Sequence, residues 1–411
     1  MRKTKSNFKE MGLVVKKFDN NLPRRFNNVL SLLNGLKQGN LTIELPDNQV
    51  FKIDGEQNGP AAKIRILHND FFARLVREGD NGFCESYLDG WWSTPDLISL
   101  LDLLLLNGDL WGSNLPGANI LRYYERIRHW WRSNSRAQAR RNIAHHYDLG
   151  NEFYTKWLDE TMTYSSALFQ TGKESLPEAQ ANKYKLICEN LSLKPSDHVL
   201  EIGCGWGGFA EYAVKNYGVK VTGLTISKEQ LEYSKKRAFE AGLGDKVNFV
   251  MRDYRDERGT YDAIASIEMF EAVGEKYWPN YFNTVRDRLV ASGKATLQII
   301  TIADEFFPHY RKNVDFIQKY IFPGGMLPSE VALDEQISKA GLNKVRMDNF
   351  GQSYSKTLRI WHNQFNAVWA DIAPLGFDDR FRRMWNFYFA SCAAFFLSQT
   401  GDVAQLTLQK G

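Results

Sequence analysis

Only four cysteines occur in 411 residues (Cys84, Cys188, Cys204 and Cys392), and no two of them form a C-x-x-C pair. That spacing indicates neither a zinc ligand set nor a disulfide framework, and it fits a reducing cytoplasm. Long hydrophobic runs are also missing. The most apolar stretch, LISLLDLLLL (97–106), is interrupted by Asp102 and falls short of the ~20 residues a membrane-spanning helix needs. The opening MRKTKSNFKE is polar and carries no secretory signal. Net charge is low, at +4, which gives no reason to expect a nucleic-acid partner. Internal repeats and low-complexity segments are absent from the sequence.

What is present is a globular composition, 43% hydrophobic and 24% charged, in a chain long enough for more than one domain. Residues 1–120 read as a smaller α+β domain for assembly or lipid engagement. LTIEL (41–45), QVFKIDG (49–55) and AKIRIL (62–67) alternate like strands, and helical segments follow, with Thr94 or Ser93 as the expected cap before Pro95. Residues 121–144 form a linker that concentrates Arg122, Arg126, Arg128, Arg132, Arg136, Arg140 and Arg141 around Trp130 and Trp131. Cations beside amphipathic rings suit an anionic lipid surface, and a solvated linker helix is the other reading.

The strongest signal is VLEIGCGWGGFA (199–210), a buried strand, a glycine turn and the start of a helix. Gly203, Gly205 and Gly208 formally satisfy the dinucleotide pattern G-x-G-x-x-G, which expects an acid ~20 residues further on for a ribose. The following strand instead ends in Thr225 and Ser227, with no acid before Glu229. Glu201, two residues ahead of the first glycine, suits the ammonium group of S-adenosylmethionine, and Thr225 and Gln230 suit neutral ribose contacts. Strands at 198–203, 219–225, 247–251, 261–267 and 294–302 alternate with helices at 207–217 and 228–241. This order predicts an α/β fold, a doubly wound, mostly parallel sheet filling a catalytic domain over 145–411.

HHYDLGNEFY (145–154), MTYSSALF (162–169), VLEIGCGWGG, GLTISKEQ (223–230), MFEAVG (269–274), KYIFPGGMLP (319–328) and FGQSYSKTLRIW (350–361) together resemble the cyclopropane-fatty-acyl-phospholipid synthases and the related mycolic-acid cyclopropane synthases. The resemblance spans roughly residues 140–400. It implies a methyltransferase fold and methyl transfer from S-adenosylmethionine to the double bond of an unsaturated phospholipid acyl chain. By the same resemblance Tyr164, Ser165, Gly203, Gly205, Thr225, Gln230 and Tyr254 are cofactor contacts, while Glu271, Tyr354 and Ile300 surround a bicarbonate that accepts a proton. Three positions depart from that pattern. Ser166 stands where the family has cysteine, Gln298 where it has histidine, and Glu268 where it has glycine. A second carboxylate beside Glu271 makes a further anion costly and counts against bicarbonate.

The chemistry implied needs no metal. It needs in-line positioning, a dry site and a base near the transferred methyl group. Glu268 is expected to occupy the bicarbonate space as that base, held by Gln298, Tyr354 and Ser166, with Glu271 sharing its proton or orienting the pocket. The aromatic C-terminal third offers walls for an acyl tunnel. Formation of a branched or methylene-substituted chain without ring closure is the alternative outcome. A lipid-binding protein with a vestigial cofactor fold and a small-molecule methyltransferase remain as other classes. A homo-oligomer in the cytoplasm, peripherally associated with a membrane, completes the expectation.

Overall fold

The computed structural model describes residues 22–108, 110 and 149–411, so the arginine–tryptophan segment at 121–144 lies outside the described residues. The chain divides into two compact units that are not consecutive in sequence. Described residues of the first are 22–108, 110, 314–316 and 377–398, and those of the second are 149–313, 317–376 and 399–411.

The first unit carries a four-stranded sheet. Its strands are β1 (Gln38–Glu44), β2 (Val50–Asp54), β3 (Gln57–Ile66) and β4 (Trp92–Ser93), in the order β2-β1-β3-β4. β1 runs antiparallel to β2 and parallel to β3. Alternation of buried Leu41 and Ile43 with more exposed neighbours gives the half-buried pattern read from the sequence. The helix Leu97–Leu106 begins two to three residues later than expected. Its cap is Asp96, which accepts from the Ser99 backbone at 3.0 Å, because Pro95 and the Thr94–Asp96 contact lie ahead of the first helical residue. The helix Asp379–Leu397 packs against Leu97–Leu106 and counts with this unit, although the sequence reading placed it within the catalytic domain. Trp385, Phe387, Tyr388, Phe389 and Phe396 are buried on that helix.

The second unit is built on seven strands: β5 (His198–Ile202), β6 (Lys220–Thr225), β7 (Val247–Met251), β8 (Tyr261–Ile267), β9 (Leu289–Ile302), β10 (Leu342–Asn349) and β11 (Gly401–Lys410). They follow the order β7-β6-β5-β8-β9-β11-β10, parallel from β7 to β9, with β11 antiparallel to both of its neighbours. Central strands such as HVLEI are buried almost without interruption, as parallel strands covered on both faces must be. One face is covered by the helices Leu176–Leu191, Gly208–Tyr217 and Lys228–Glu240, the other by Trp278–Arg288 and Glu330–Lys339. This is the doubly wound α/β architecture expected for 145–411, with β10 and β11 added and the helix Asp379–Leu397 counted with the other unit. From β5 the chain winds outward to β7 and then returns to β8 on the opposite side. A crevice therefore opens outside the carboxyl ends of β5 and β8, where such sheets bind ligands.

Candidate active site

At the end of β5 the backbone enters the glycine turn. Gly203 (φ +84°) and Gly205 (φ +50°) adopt left-handed conformations that side chains disfavour. A Cβ on Gly203 would lie 2.8 Å from Met269 Cγ, whereas one on Gly205 would project into open space. Gly203 is thus required for packing, and Gly205 leaves a bare cradle beside it. Glu201, in register with Gly223 of β6 and Ala265 of β8, is 2% exposed. Its Oε2 has no hydrogen-bond partner among the described residues. Burial raises its carboxyl well above the ordinary range, against the pull of Arg237 and Lys183.

β6 ends at Thr225, whose hydroxyl donates to Gln230 Oε1 at 2.8 Å. Gln230 is held at the start of its helix because Ser227 caps that helix through the Gln230 backbone N–H. Tyr254 opens the short turn after β7, with its ring edge-on to Tyr281 at 5.4 Å. Across the crevice, Tyr164 lies against Trp361 (5.3 Å), Tyr154 (5.5 Å) and Trp157 (5.7 Å). Ser165 follows it, 5% exposed, and accepts a 2.6 Å hydrogen bond from Lys183 Nζ.

The carboxyl ends of β8 and β9 assemble the acid pocket. Glu268 sits at φ +48°, a left-handed conformation that the family's glycine adopts freely and that costs a side-chain-bearing residue ~1 kcal/mol or more. Its carboxylate has three donors. Oε1 accepts from the Ser166 backbone N–H and from Gln298 Nε2, both at 2.8 Å, and Oε2 accepts from the Tyr354 hydroxyl at 2.6 Å. The expected partners come together, with one difference. Ser166 contributes its backbone, while its hydroxyl donates to the Ala167 carbonyl at 2.9 Å, so the hydroxyl does not stand in for the family's thiol on the carboxylate. Burial raises the Glu268 pKa, and Lys183 and the three donors act against that rise.

Glu271 lies in the short turn Phe270–Ala272, where Oε1 accepts from the Ile300 backbone N–H at 2.6 Å and Oε2 has no partner among the described residues. Burial first, and then the nearby charge of Glu268, push its pKa up to about 8. Glu271 is therefore protonated at neutral pH, while Lys183 and three hydrogen-bond donors favour the charged form of Glu268.

Sequence reasoning missed several residues that build this site. Lys183 is fully buried on the helix Leu176–Leu191. Gln180, on the same helix, donates to the Ser165 carbonyl at 3.0 Å. Gln405 of β11 donates to Gln298 Oε1 at 3.2 Å and to the Lys183 carbonyl at 3.1 Å. Thr357 accepts from the Ala167 backbone at 3.1 Å and pins the loop that carries Tyr164 and Ser165. Lys183 was legible in one respect: it sits four residues after Ala179 and four before Ile187, inside the helix's apolar stripe.

The donor set fits S-adenosylmethionine. The bare cradle at Gly205, the orphaned buried carboxyl of Glu201 and the neutral Thr225–Gln230 pair suit a nucleoside bearing a cationic amino-acid end. The family model "Mycolic acid cyclopropane synthetase" matches residues 134–406. The cyclopropane-fatty-acyl-phospholipid synthase of Escherichia coli (strain K12) is 36% identical over 389 residues, covering 90% of this chain and 96% of its own. The tuberculostearic acid methyltransferase UfaA1 of Mycobacterium tuberculosis is 37% identical over 379 residues, covering 86% of each. The crystal structure of mycolic acid cyclopropane synthase CmaA1 complexed with SAH and CTAB superposes with a TM-score of 0.62 at 31% identity, covering 66% of this chain and 98% of its own. The chain belongs to the mycolic acid cyclopropane synthetase family and is an S-adenosylmethionine-dependent methyltransferase.

Proposed function

We propose that this enzyme methylates the double bond of an unsaturated phospholipid acyl chain and closes a cyclopropane ring, with Glu268 as the base. The observation that carries this reading is the Glu268 carboxylate, held by three donors at the carboxyl end of β8 beside the glycine turn. When bound, S-adenosylmethionine supplies an electrophilic methyl group to the alkene, leaving a cationic acyl chain. Glu201, Gly203, Gly205, Thr225, Gln230, Tyr254, Tyr164 and Ser165 hold the donor. Glu268 takes one proton from the transferred methyl group, and the electron pair of that C–H bond closes the ring. Tyr354, Gln298 and the Ser166 backbone keep the carboxylate oriented. Glu271, protonated and fixed by Ile300, adds no second negative charge. Tyr164, Trp361 and Trp157 pack together beside Ser165, and an aromatic wall of this kind would exclude water that traps the cation.

A second reading has its own support. The acid, amide and serine at 268, 298 and 166 depart from the family's glycine, histidine and cysteine, and one relative of comparable identity is named a tuberculostearic acid methyltransferase. On that reading the same base removes a proton without ring closure, leaving an alkene, either a methylene substituent or a methyl branch on a shifted double bond. Incubation with unsaturated phospholipid vesicles, followed by mass spectrometry before and after hydrogenation, tests both. A product heavier than its parent by one methylene supports the function, and a product that takes up no hydrogen under conditions that saturate an exocyclic alkene identifies the ring. Absence of any modified acyl chain, with S-adenosylhomocysteine released on another substrate, overturns it. Bicarbonate has no assigned place in this scheme, because Glu268 meets the donors that would hold it. Among the described residues no helix is long and apolar enough to cross a membrane. Contact with the bilayer is assigned to the arginine–tryptophan segment, and vesicle flotation with Arg→Glu substitutions there tests it.

A further inference from the structure

Lys183 is 0% exposed, and its ammonium makes one hydrogen bond, 2.6 Å to Ser165 Oγ. A buried ammonium is costly to retain without compensation. Burial lowers its pKa to about 7, and the acids around it act against that fall: Glu268 at the end of β8, Asp159 in the loop after the helix Asn151–Trp157, and Glu201 on β5 each favour the charged form. Its helix also supplies the adjacent Tyr184 ring, with the ammonium 4.8 Å from the centroid. Lys183 thus lies against Ser165, among acids carried by β5 and by the end of β8.

The consequence for Ser165 is directional. A hydroxyl has one hydrogen to give, and an ammonium can only donate. Because Lys183 occupies a lone pair of Ser165 Oγ, the serine cannot give its hydrogen back to the lysine. The Ser165 carbonyl is taken by Gln180, and no acceptor among the described residues receives the Ser165 hydroxyl hydrogen. Ser165 thereby keeps a hydroxyl hydrogen for a ligand, with the protonated lysine 2.6 Å from its oxygen. A group recognised by such a donor is an anionic oxygen.

We infer that Lys183 is a positioning residue that polarises Ser165 toward the carboxylate of the donor's amino-acid end. This rests on the assignment of the Tyr164–Ser165 turn to that end of S-adenosylmethionine. The role is electrostatic and exerted through the serine, so it acts on the amino-acid portion of the cofactor and leaves the nucleoside portion untouched.

Calorimetry on the full-length protein tests it, with two probes: S-adenosylhomocysteine, which carries the carboxylate, and methylthioadenosine, which lacks the amino-acid end. K183M is expected to weaken S-adenosylhomocysteine roughly ten- to a hundredfold, the range for a charge-assisted hydrogen bond, and to change methylthioadenosine less than about twofold. S165A is expected to do the same, and the double variant to be no weaker than either single one. K183Q keeps a donor without the charge and is expected to recover part of the loss. It carries the test if K183M does not fold. Equal weakening of both probes would show a merely structural lysine and overturn the inference. So would an undiminished K183M effect in the S165A background, or no effect at all. An S165A variant with unchanged binding of S-adenosylhomocysteine would instead refute the assignment of the serine.

Discussion

Replacing Glu268 by glutamine removes the charge and proton affinity of the carboxylate while preserving its shape. The three hydrogen bonds show how the change is absorbed. The introduced amide oxygen keeps the Ser166 backbone and Gln298 as donors, and the amide nitrogen donates to Tyr354, whose hydroxyl turns from donor to acceptor. No donor is left facing another donor, and the backbone at φ +48° is unchanged. E268Q should therefore fold and still bind S-adenosylhomocysteine, with some loss of thermal stability because the charge that favours the Lys183 ammonium is removed. Loss of a positioned base costs about 10²- to 10⁴-fold in rate, or roughly 3–5 kcal/mol of barrier. The assay is release of S-adenosylhomocysteine with unsaturated phospholipid vesicles, read beside thermal unfolding and calorimetry. A folded E268Q that binds cofactor normally and turns over within threefold of the parent would refute the assignment of Glu268 as base.

Three further outcomes follow from the same pocket. E268G removes the acid at a left-handed position that glycine tolerates, so its activity should fall and then be restored by added bicarbonate or formate, whereas the parent should show no bicarbonate dependence; an unrescued E268G beside a bicarbonate-dependent parent would contradict this. Y354F deletes a hydrogen bond that favours the charged form of Glu268, which raises its pKa. The acidic limb of the pH–rate profile should move alkaline, and an unmoved limb would show that Tyr354 does not act on the base. Glu271 is protonated in the folded protein up to about pH 8, but near 4.5 it loses its proton once unfolded. The native state thus holds a proton that the unfolded state releases, and the parent should lose stability relative to E271Q as pH rises from about 4.5 to 8. The difference reaches about 3 kcal/mol at pH 7 before any relaxation, and a gap in unfolding temperature independent of pH would contradict it.

The parts of this enzyme that could be read from residues alone are those governed by local rules. The glycine turn, the strands β5 to β8 and the Thr225–Gln230 pair follow from burial periodicity and from backbone angles that only certain residues adopt comfortably. β10 and β11 escaped because each follows a helix late in the chain, and β11 pairs with β9 across about a hundred residues of sequence. The helix Asp379–Leu397 joins the first unit through packing against Leu97–Leu106, a partnership that no local pattern encodes. In the acid pocket the partners of Glu268 were legible by resemblance, but the backbone contribution of Ser166 was not. A sequence specifies side chains, and which part of a residue meets a carboxylate depends on how the loop turns. Lys183 and Gln405 were overlooked for a related reason. Polar residues on elements that otherwise pack apolar faces are read as solvated unless their position in the stripe is followed turn by turn.

Ring closure requires that a base in this pocket remove a proton from the transferred methyl group. Its most direct test uses S-adenosylmethionine with a trideuterated methyl group, the unmodified enzyme and unsaturated phospholipid vesicles, with deuterium counted in the acyl product by mass spectrometry. The expected product retains two deuteriums, one having left to Glu268. A product that retains all three, or a lipid fraction without label, would contradict it.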